Sequence, residues 1–267
     1  MKILKNVFEL NKAIKNYKIV GFVPTMGGIH KGHESLIKIS QKNNKETIVS
    51  IFVNPTQFNQ KKDFKNYPRN ISKDISILKK LKVNYLFLPE VSEIYKNKMK
   101  NFILNRSDKI LCAKYRKGHF EGVLNVMNRL LSIVKSKHVY MGEKDFQQYM
   151  LIKRILGKKY KTNIFGCPTI RENNKIALST RNKLLNRSSL KKASNIAIKL
   201  DKIKRLSKTN KFVDLSITKY ELENKFKIKI DYLEFRDEKK MKLNNFKSKY
   251  RLFIAYHING VRLIDNF

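Results

Sequence analysis

Short apolar runs rich in β-branched residues recur along this chain, and the intervals between them carry helical spacing. The runs at 19–23 (IVGFV), 47–53 (TIVSIFV), 83–88 (VNYLFL), 138–141 (HVYM) and 162–165 (TNIF) read as buried strands. Near 34–43, 70–81, 122–135 and 146–157 the apolar positions fall three and four apart, which predicts helices. Strands alternating with helices predict an α/β fold with a Rossmann-like, doubly wound parallel sheet, whose ligands bind beyond the carboxyl ends of the strands. Beyond residue 183 the pattern changes. A long basic helix over 183–206, helical spacing over about 213–226, and strand-like runs at 228–235 and 251–258 predict a smaller C-terminal α+β domain. The reading therefore divides the chain into 1–182 and 183–267, joined by the loop 178–182 (LSTRN), with no internal repeat or low-complexity linker.

The informative polar motifs follow the strands. Residues 24–33 (PTMGGIHKGH) set two imidazoles three apart where a strand gives way to a helix, so that His30 and His33 share one side of the first turn. Open backbone N–H groups and the positive end of the helix dipole point the same way, which suits an anion. Gly27, Gly28 and Gly32 allow a ligand to approach the main chain. A His-x-x-His pair can also bind zinc or simply sit in a surface turn. Cys112 and Cys167 are isolated, and His119, His138 and His257 fall in no ligand spacing, which weighs against zinc. The glycines and the preceding strand weigh against an idle turn.

After the second run comes Asn54-Pro55-Thr56-Gln57-Phe58, and after the fourth comes Gly142-Glu143-Lys144-Asp145-Phe146-Gln147-Gln148. His30, His33, Lys144 and Arg181 together supply the donors that a nucleoside triphosphate requires, with the Ser179 and Thr180 hydroxyls beside them. Lys144 or Arg181 taken alone also reads as a solvated cation; its motif is what raises it. Asn54, Gln57 and Gln148 can grip hydroxyls and a carboxylate without adding charge, and Asp145 can accept from ribose hydroxyls.

Composition changes the picture in two respects. Lys plus Arg number 59 against 21 for Asp plus Glu, a net charge of +38 that makes nucleic acid the first suspect. The lysines are nevertheless scattered as singles and doublets (Lys61 with Lys62, Lys79 with Lys80, Lys191 with Lys192, Lys239 with Lys240), without a basic block or an aromatic-basic RNA signature. Lys, Asn and Ile all have A/T-rich codons, so codon bias accounts for lysine on solvated faces, and no specific nucleic-acid partner is expected. In addition, two unpaired-looking cysteines suit a reducing compartment. No apolar stretch approaches the roughly 18 residues of a membrane span, and the N-terminus lacks the apolar core of a secretion signal. A cytoplasmic chain that leaves membranes alone is expected.

The motifs PTMGGIHKGH, SIFVNPTQF with YPR, HFEGV, GEKDFQQ, LSTRN and RLIDN, which span residues 24–266, occur in the order seen in the pantothenate synthetase (pantoate:β-alanine ligase) family, which this chain resembles. The histidine motif alone marks only the wider superfamily of adenylyl-transferring enzymes with a HIGH-type signature. VNPTQF and GEKDFQQ narrow it to this family. The resemblance implies ATP-dependent condensation of pantoate with β-alanine through pantoyl adenylate, with Mg2+, in a homodimer. On matching positions it places Met26, Gly27, Gly28, Ile29, His30, Lys31, Gly32 and His33 at ATP, with His30 and His33 on the phosphates and His33 as proton donor. It adds Gly142, Glu143, Lys144 and Asp145 for ribose and phosphate, Ile170 beside adenine, and Leu178, Ser179, Thr180 and Arg181 over the triphosphate. Gln57 and Gln148 are implied for pantoate, Gln57 also for β-alanine, and Asn54 and Arg116 for the same pocket. Thr180 stands where a second serine is common, Lys31 where an acidic residue is frequent, and Lys117 where a proline is frequent. Of an acidic cluster that can include a magnesium ligand, Asp74 remains and is the expected metal position. Two rivals stay open: a nucleotidyltransferase acting on a phosphorylated precursor, which needs a basic second pocket in place of Gln57 and Gln148, and an RNA-binding protein on the same fold.

Overall fold

The computed structural model describes residues 1–16, 19–58, 64–209, 213–243 and 248–267, so Lys61 and Lys62 lie outside the described residues. The chain forms two compact units, Met1–Thr169 and Ile170–Phe267.

In the first unit, strands β1 (Lys2–Leu4), β2 (Gly21–Thr25), β3 (Thr47–Ile51), β4 (Tyr85–Phe87), β5 (His138–Gly142) and β6 (Asn163–Cys167) form one sheet. Every pairing is parallel, in the order β1-β4-β3-β2-β5-β6. Val23, Val49 and Leu86 lie in register across β2, β3 and β4, and pack with Ile37 of the helix Lys31–Asn43 and Leu78 of the helix Ile71–Lys80. All five are fully buried, which at about 1.5–3 kcal/mol each makes this cluster a principal anchor of the layer. Phe22 and Ile48, on the opposite face of the same strands, are fully buried too. A sheet covered on both faces explains the continuous apolar runs in place of alternation.

The strand order fixes where a ligand can enter. From β2 the chain winds outward through β3 to β4, and from β5 it winds the other way to β6, so β2 and β5 flank the topological switch point. Their ladder stops at Phe22↔Val139, whereas β2 pairs with β3 out to Thr25↔Ile51 and β5 with β6 out to Gly142↔Cys167. Beyond that pair β2 and β5 share no further ladder positions, and a fold of this class binds its ligand at such a switch point.

The second unit carries an antiparallel sheet of β7 (Lys229–Asp237), β8 (Tyr250–Ile258) and β9 (Val261–Asn266). The helices Arg187–Leu206 and Leu215–Phe226 share its core through Ile196, Leu200 and Leu222 against Leu252 and Ile254. Residues 170–182 belong to this unit, where the sequence reading kept them with the first. Arg171 clamps Asp265 with two 2.8 Å bonds and donates to the Asn266 carbonyl, while Ile176 joins the second core. The RLIDN motif thus anchors the segment that precedes LSTRN.

Candidate active site

The loop leaving β2 is held from below. Gly27 and Gly28 take φ of 79° and 64°, a region that favours glycine, and this turns two successive N–H groups inward. Both meet one carboxylate. Gly28 N donates to Asp74 Oδ2 and Ile29 N to Asp74 Oδ1, each at 2.8 Å, and Asp74 is 3% exposed. Ile29 is itself buried in the core, so its side chain packs beneath the loop.

The helix Lys31–Asn43 then starts on His30, whose Nδ1 accepts from Gly32 N at 3.1 Å as an N-cap. An accepting Nδ1 puts the neutral ring's proton on Nε2, which makes that atom a donor. His33 lies against it, with ring centroids 4.0 Å apart. Sequence spacing alone placed these two rings on one side of the turn.

Beyond β3, Asn54 caps a short 3-10 turn, Pro55–Gln57. Its amide donates to Gln57 Oε1 and to the Gly122 carbonyl, while its Oδ1 accepts from Thr56 and from the Tyr95 hydroxyl at 2.6 Å. At 1% exposure Asn54 is held within this turn, beside Gln57. The Gln57 amide in turn reaches the Met26 sulfur, joining the β3 turn to the β2 loop.

The helix His119–Val134 supports the turn from the other side. His119 Nδ1 lies 2.8 Å from the Gln57 carbonyl, and Arg116 lies 2.8 Å from His119 Nε2. Guanidinium can only donate, so Nε2 accepts and Nδ1–H donates to Gln57. One neutral imidazole therefore connects Arg116 and Gln57. Gly122 lies so close that a Cβ there would sit 2.5 Å from the Thr56 carbonyl oxygen. HFEGV carried its resemblance without a role; its histidine and glycine are the contacts that seat the Gln57 turn. Burial raises the Tyr95 phenol, against the opposing Thr56 hydrogen bond and Arg129 charge, so it remains a neutral donor to Asn54.

At the end of β5, Glu143–Asp145 form a 3-10 turn in which Lys144 is largely buried and lies 3.8 Å from Asp145. The two glutamines that follow separate. Gln147 is buried and ties down the Asp108 and Ile110 carbonyls, whereas Gln148 is partly exposed on the same helix, Phe146–Ile152. Cys167 packs under this turn, and its thiol is pushed up to about 11 by burial and then by Glu143.

In the second unit, Leu178 N bonds the Ile170 carbonyl at 3.0 Å, and Ser179 caps the turn Thr180–Leu184 by accepting from Arg181 N. Ile170, Leu178, Ser179 and Arg181 are partly exposed, while Thr180 is buried.

The family model described as pantoate-beta-alanine ligase matches residues 2–267. The chain belongs to the pantoate-beta-alanine ligase family. This ligase is 39% identical to a pantothenate synthetase of Flavobacterium psychrophilum, over 97% of this chain and 98% of the relative, and 41% identical to one of Francisella tularensis subsp. novicida, over 100% and 97%. Among solved structures it is similar to the pantothenate synthetase of Thermus thermophilus, with a TM-score of 0.93 at 31% identity over 100% of this chain and 99% of that one. It is also similar to the pantoate-beta-alanine ligase of Francisella tularensis complexed with beta-gamma ATP and β-alanine, with a TM-score of 0.85 at 38% identity over 100% and 97%.

Proposed function

We propose that this ligase joins pantoate to β-alanine in two steps at the β2/β5 switch point. The pantoate carboxylate attacks the α-phosphorus of ATP and pyrophosphate leaves; the β-alanine amine then attacks the acyl carbon of pantoyl adenylate and AMP leaves, giving pantothenate. In-line displacement at phosphorus demands alignment and charge neutralisation more than covalent help. His30 supplies a preorganised Nε2 donor to the phosphates, His33 is the proton donor, and Lys144 neutralises the developing charge. Gly142, Glu143 and Asp145 hold ribose and phosphate. Gln57 and Gln148 bind pantoate, Gln57 also receives β-alanine, and Asn54 and Arg116 belong to the same pocket. Ser179 and Arg181 act on the triphosphate, with Leu178 and Thr180 shaping their turn and Ile170 beside adenine.

The observation that carries this reading is the emergence of the His30/His33 turn and the Lys144 turn from the two strands that flank the switch point. A basic pocket for a phosphorylated second substrate finds less support, because Gln57 and Gln148 are neutral. Mg2+ enters with ATP as part of the substrate. Among the described residues no group of three or more His, Cys, Asp or Glu gathers to hold a metal, and both Asp74 oxygens are engaged by backbone. Among the described residues no helix is long and apolar enough to cross a membrane. A cytoplasmic, homodimeric enzyme is our reading, the first part supported by two buried free cysteines, Cys112 and Cys167.

The test is a coupled assay for AMP with ATP, Mg2+, pantoate and β-alanine. AMP release that needs both pantoate and β-alanine is expected. Release that ignores pantoate refutes the proposal.

A further inference from the structure

We propose that Asp74 is a positioning residue for the ATP loop, not a ligand of magnesium. The inference rests on reading the turn that leaves β2 as the nucleotide site, and concerns how that turn keeps its shape. Two successive N–H groups made convergent by positive-φ glycines form a concavity that binds an anion. Here the anion belongs to the protein: each Asp74 oxygen accepts one N–H at 2.8 Å, from Gly28 and from Ile29. The fit is close on both sides. A Cβ on Gly27 would come within 2.9 Å of Asp74 Oδ2, so the carboxylate packs against the glycine backbone as well as bonding beyond it.

Three consequences follow for the chemistry. Charge-assisted bonds to a carboxylate are about twice as strong as neutral ones, so the loop is held before any nucleotide arrives. The Gly28 and Ile29 N–H groups are withdrawn from phosphate binding, which leaves that task to donors further along, beginning with His30. A carboxylate 3% exposed with a backbone donor on each oxygen is also poorly placed to coordinate a cation that keeps several waters of its own. Asp74 acts on ATP through the loop and touches no reacting atom.

Two variants and three readouts test this. Asp74→Asn keeps one acceptor and loses the second together with the charge. Gly27→Ala leaves Asp74 intact as a potential metal ligand but pushes on it from the loop at φ 79°. Calorimetric ATP binding to the wild type comes first, and its absence would refute the nucleotide site itself, apart from the clamp. Given that binding, both variants are expected to raise the ATP KM at least tenfold while half-saturation by Mg2+ stays within twofold of wild type. In amide spectra of Asp74→Asn, the Gly28 and Ile29 resonances are expected to move furthest. The clamp is overturned if Asp74→Asn binds ATP normally. It is equally overturned if raised Mg2+ or Mn2+ restores Asp74→Asn, or if the variant's Mg2+ requirement alone shifts tenfold. Should Asp74→Asn fail to fold, Gly27→Ala decides: an unchanged ATP KM overturns the clamp.

Discussion

Gly122→Ala tests whether the close approach of the helix His119–Val134 to the Pro55–Gln57 turn governs the pantoate pocket. In an exposed helix interior the substitution stabilises by about 1 kcal/mol, because alanine is the better helix former. Here the added methyl carbon would lie 2.5 Å from the Thr56 carbonyl oxygen, 2.8 Å from its carbon and 2.9 Å from Gln57 Cα. Carbon contacts are comfortable at about 3.5–4.0 Å, so the overlap is roughly 1 Å, and every atom it meets is backbone that cannot rotate aside. Overpacking of this kind costs about 1–3 kcal/mol, which exceeds the propensity gain. A net loss of up to about 2 kcal/mol is expected, a fall of up to about 8 °C in the midpoint of thermal unfolding for a unit of this size. Since the methyl pushes on Gln57 Cα, the larger effect is functional: a displacement near 1 Å at a positioning group lowers kcat/KM for pantoate on the order of 100-fold. Calorimetry and steady-state kinetics read both. Stabilisation by about 1 kcal/mol with unaltered pantoate kinetics would show that the turn does not depend on this contact.

His30→Asn separates capping from chemistry, because asparagine caps a helix as well as any residue but lacks the Nε2 donor. Thermal stability is expected to hold within about 0.5 kcal/mol while kcat falls on the order of 10² to 10³, and His33→Ala should fall comparably; retained turnover in either refutes its role. Lys204 is pushed down from 10.5 to about 8, first by burial and then by Lys208. Between about pH 8 and 10.5 the unfolded chain holds a proton that the folded chain has released, so stability relative to Lys204→Met should rise through that window. A stability difference that stays flat with pH contradicts the shift. Cys167, with its thiol raised to about 11, should resist iodoacetamide at about pH 8 in the folded protein and react once the protein is unfolded; prompt labelling of the native enzyme would show that the site is open.

The parallel sheet was legible because strands buried on both faces leave unbroken apolar runs, and Thr47–Ile51 and His138–Gly142 begin where those runs begin. Other elements left weaker traces. Strand Lys2–Leu4 is only KIL, too short for periodicity. Helix Val7–Ile14 had a signal in Asn6 and Glu9: the Asn6 side chain caps the helix by accepting from Glu9 N, and its amide donates to the Glu9 carboxylate. Strand Val261–Asn266 was equally open to detection, since Asn259-Gly260 is a two-residue hairpin turn, with φ of 46° and 76°. In the site, the histidine turn and the Lys144 turn were readable because each is local and follows its strand. Roles set by partners distant along the chain were not. Asp74 meets Gly28 across 46 positions, His119 meets Gln57 across 62, and Asn54 meets Gly122 across 68. Nothing local distinguishes a carboxylate that will hold a loop from one that will hold a metal.

Isotope exchange between pyrophosphate and ATP tests the central claim most directly, because it reports the reversal of the first step alone. The account predicts exchange that requires pantoate, proceeds without β-alanine, and is lost in His33→Ala. Exchange without pantoate, or none until β-alanine is added, would contradict an adenylate formed at the switch point between β2 and β5.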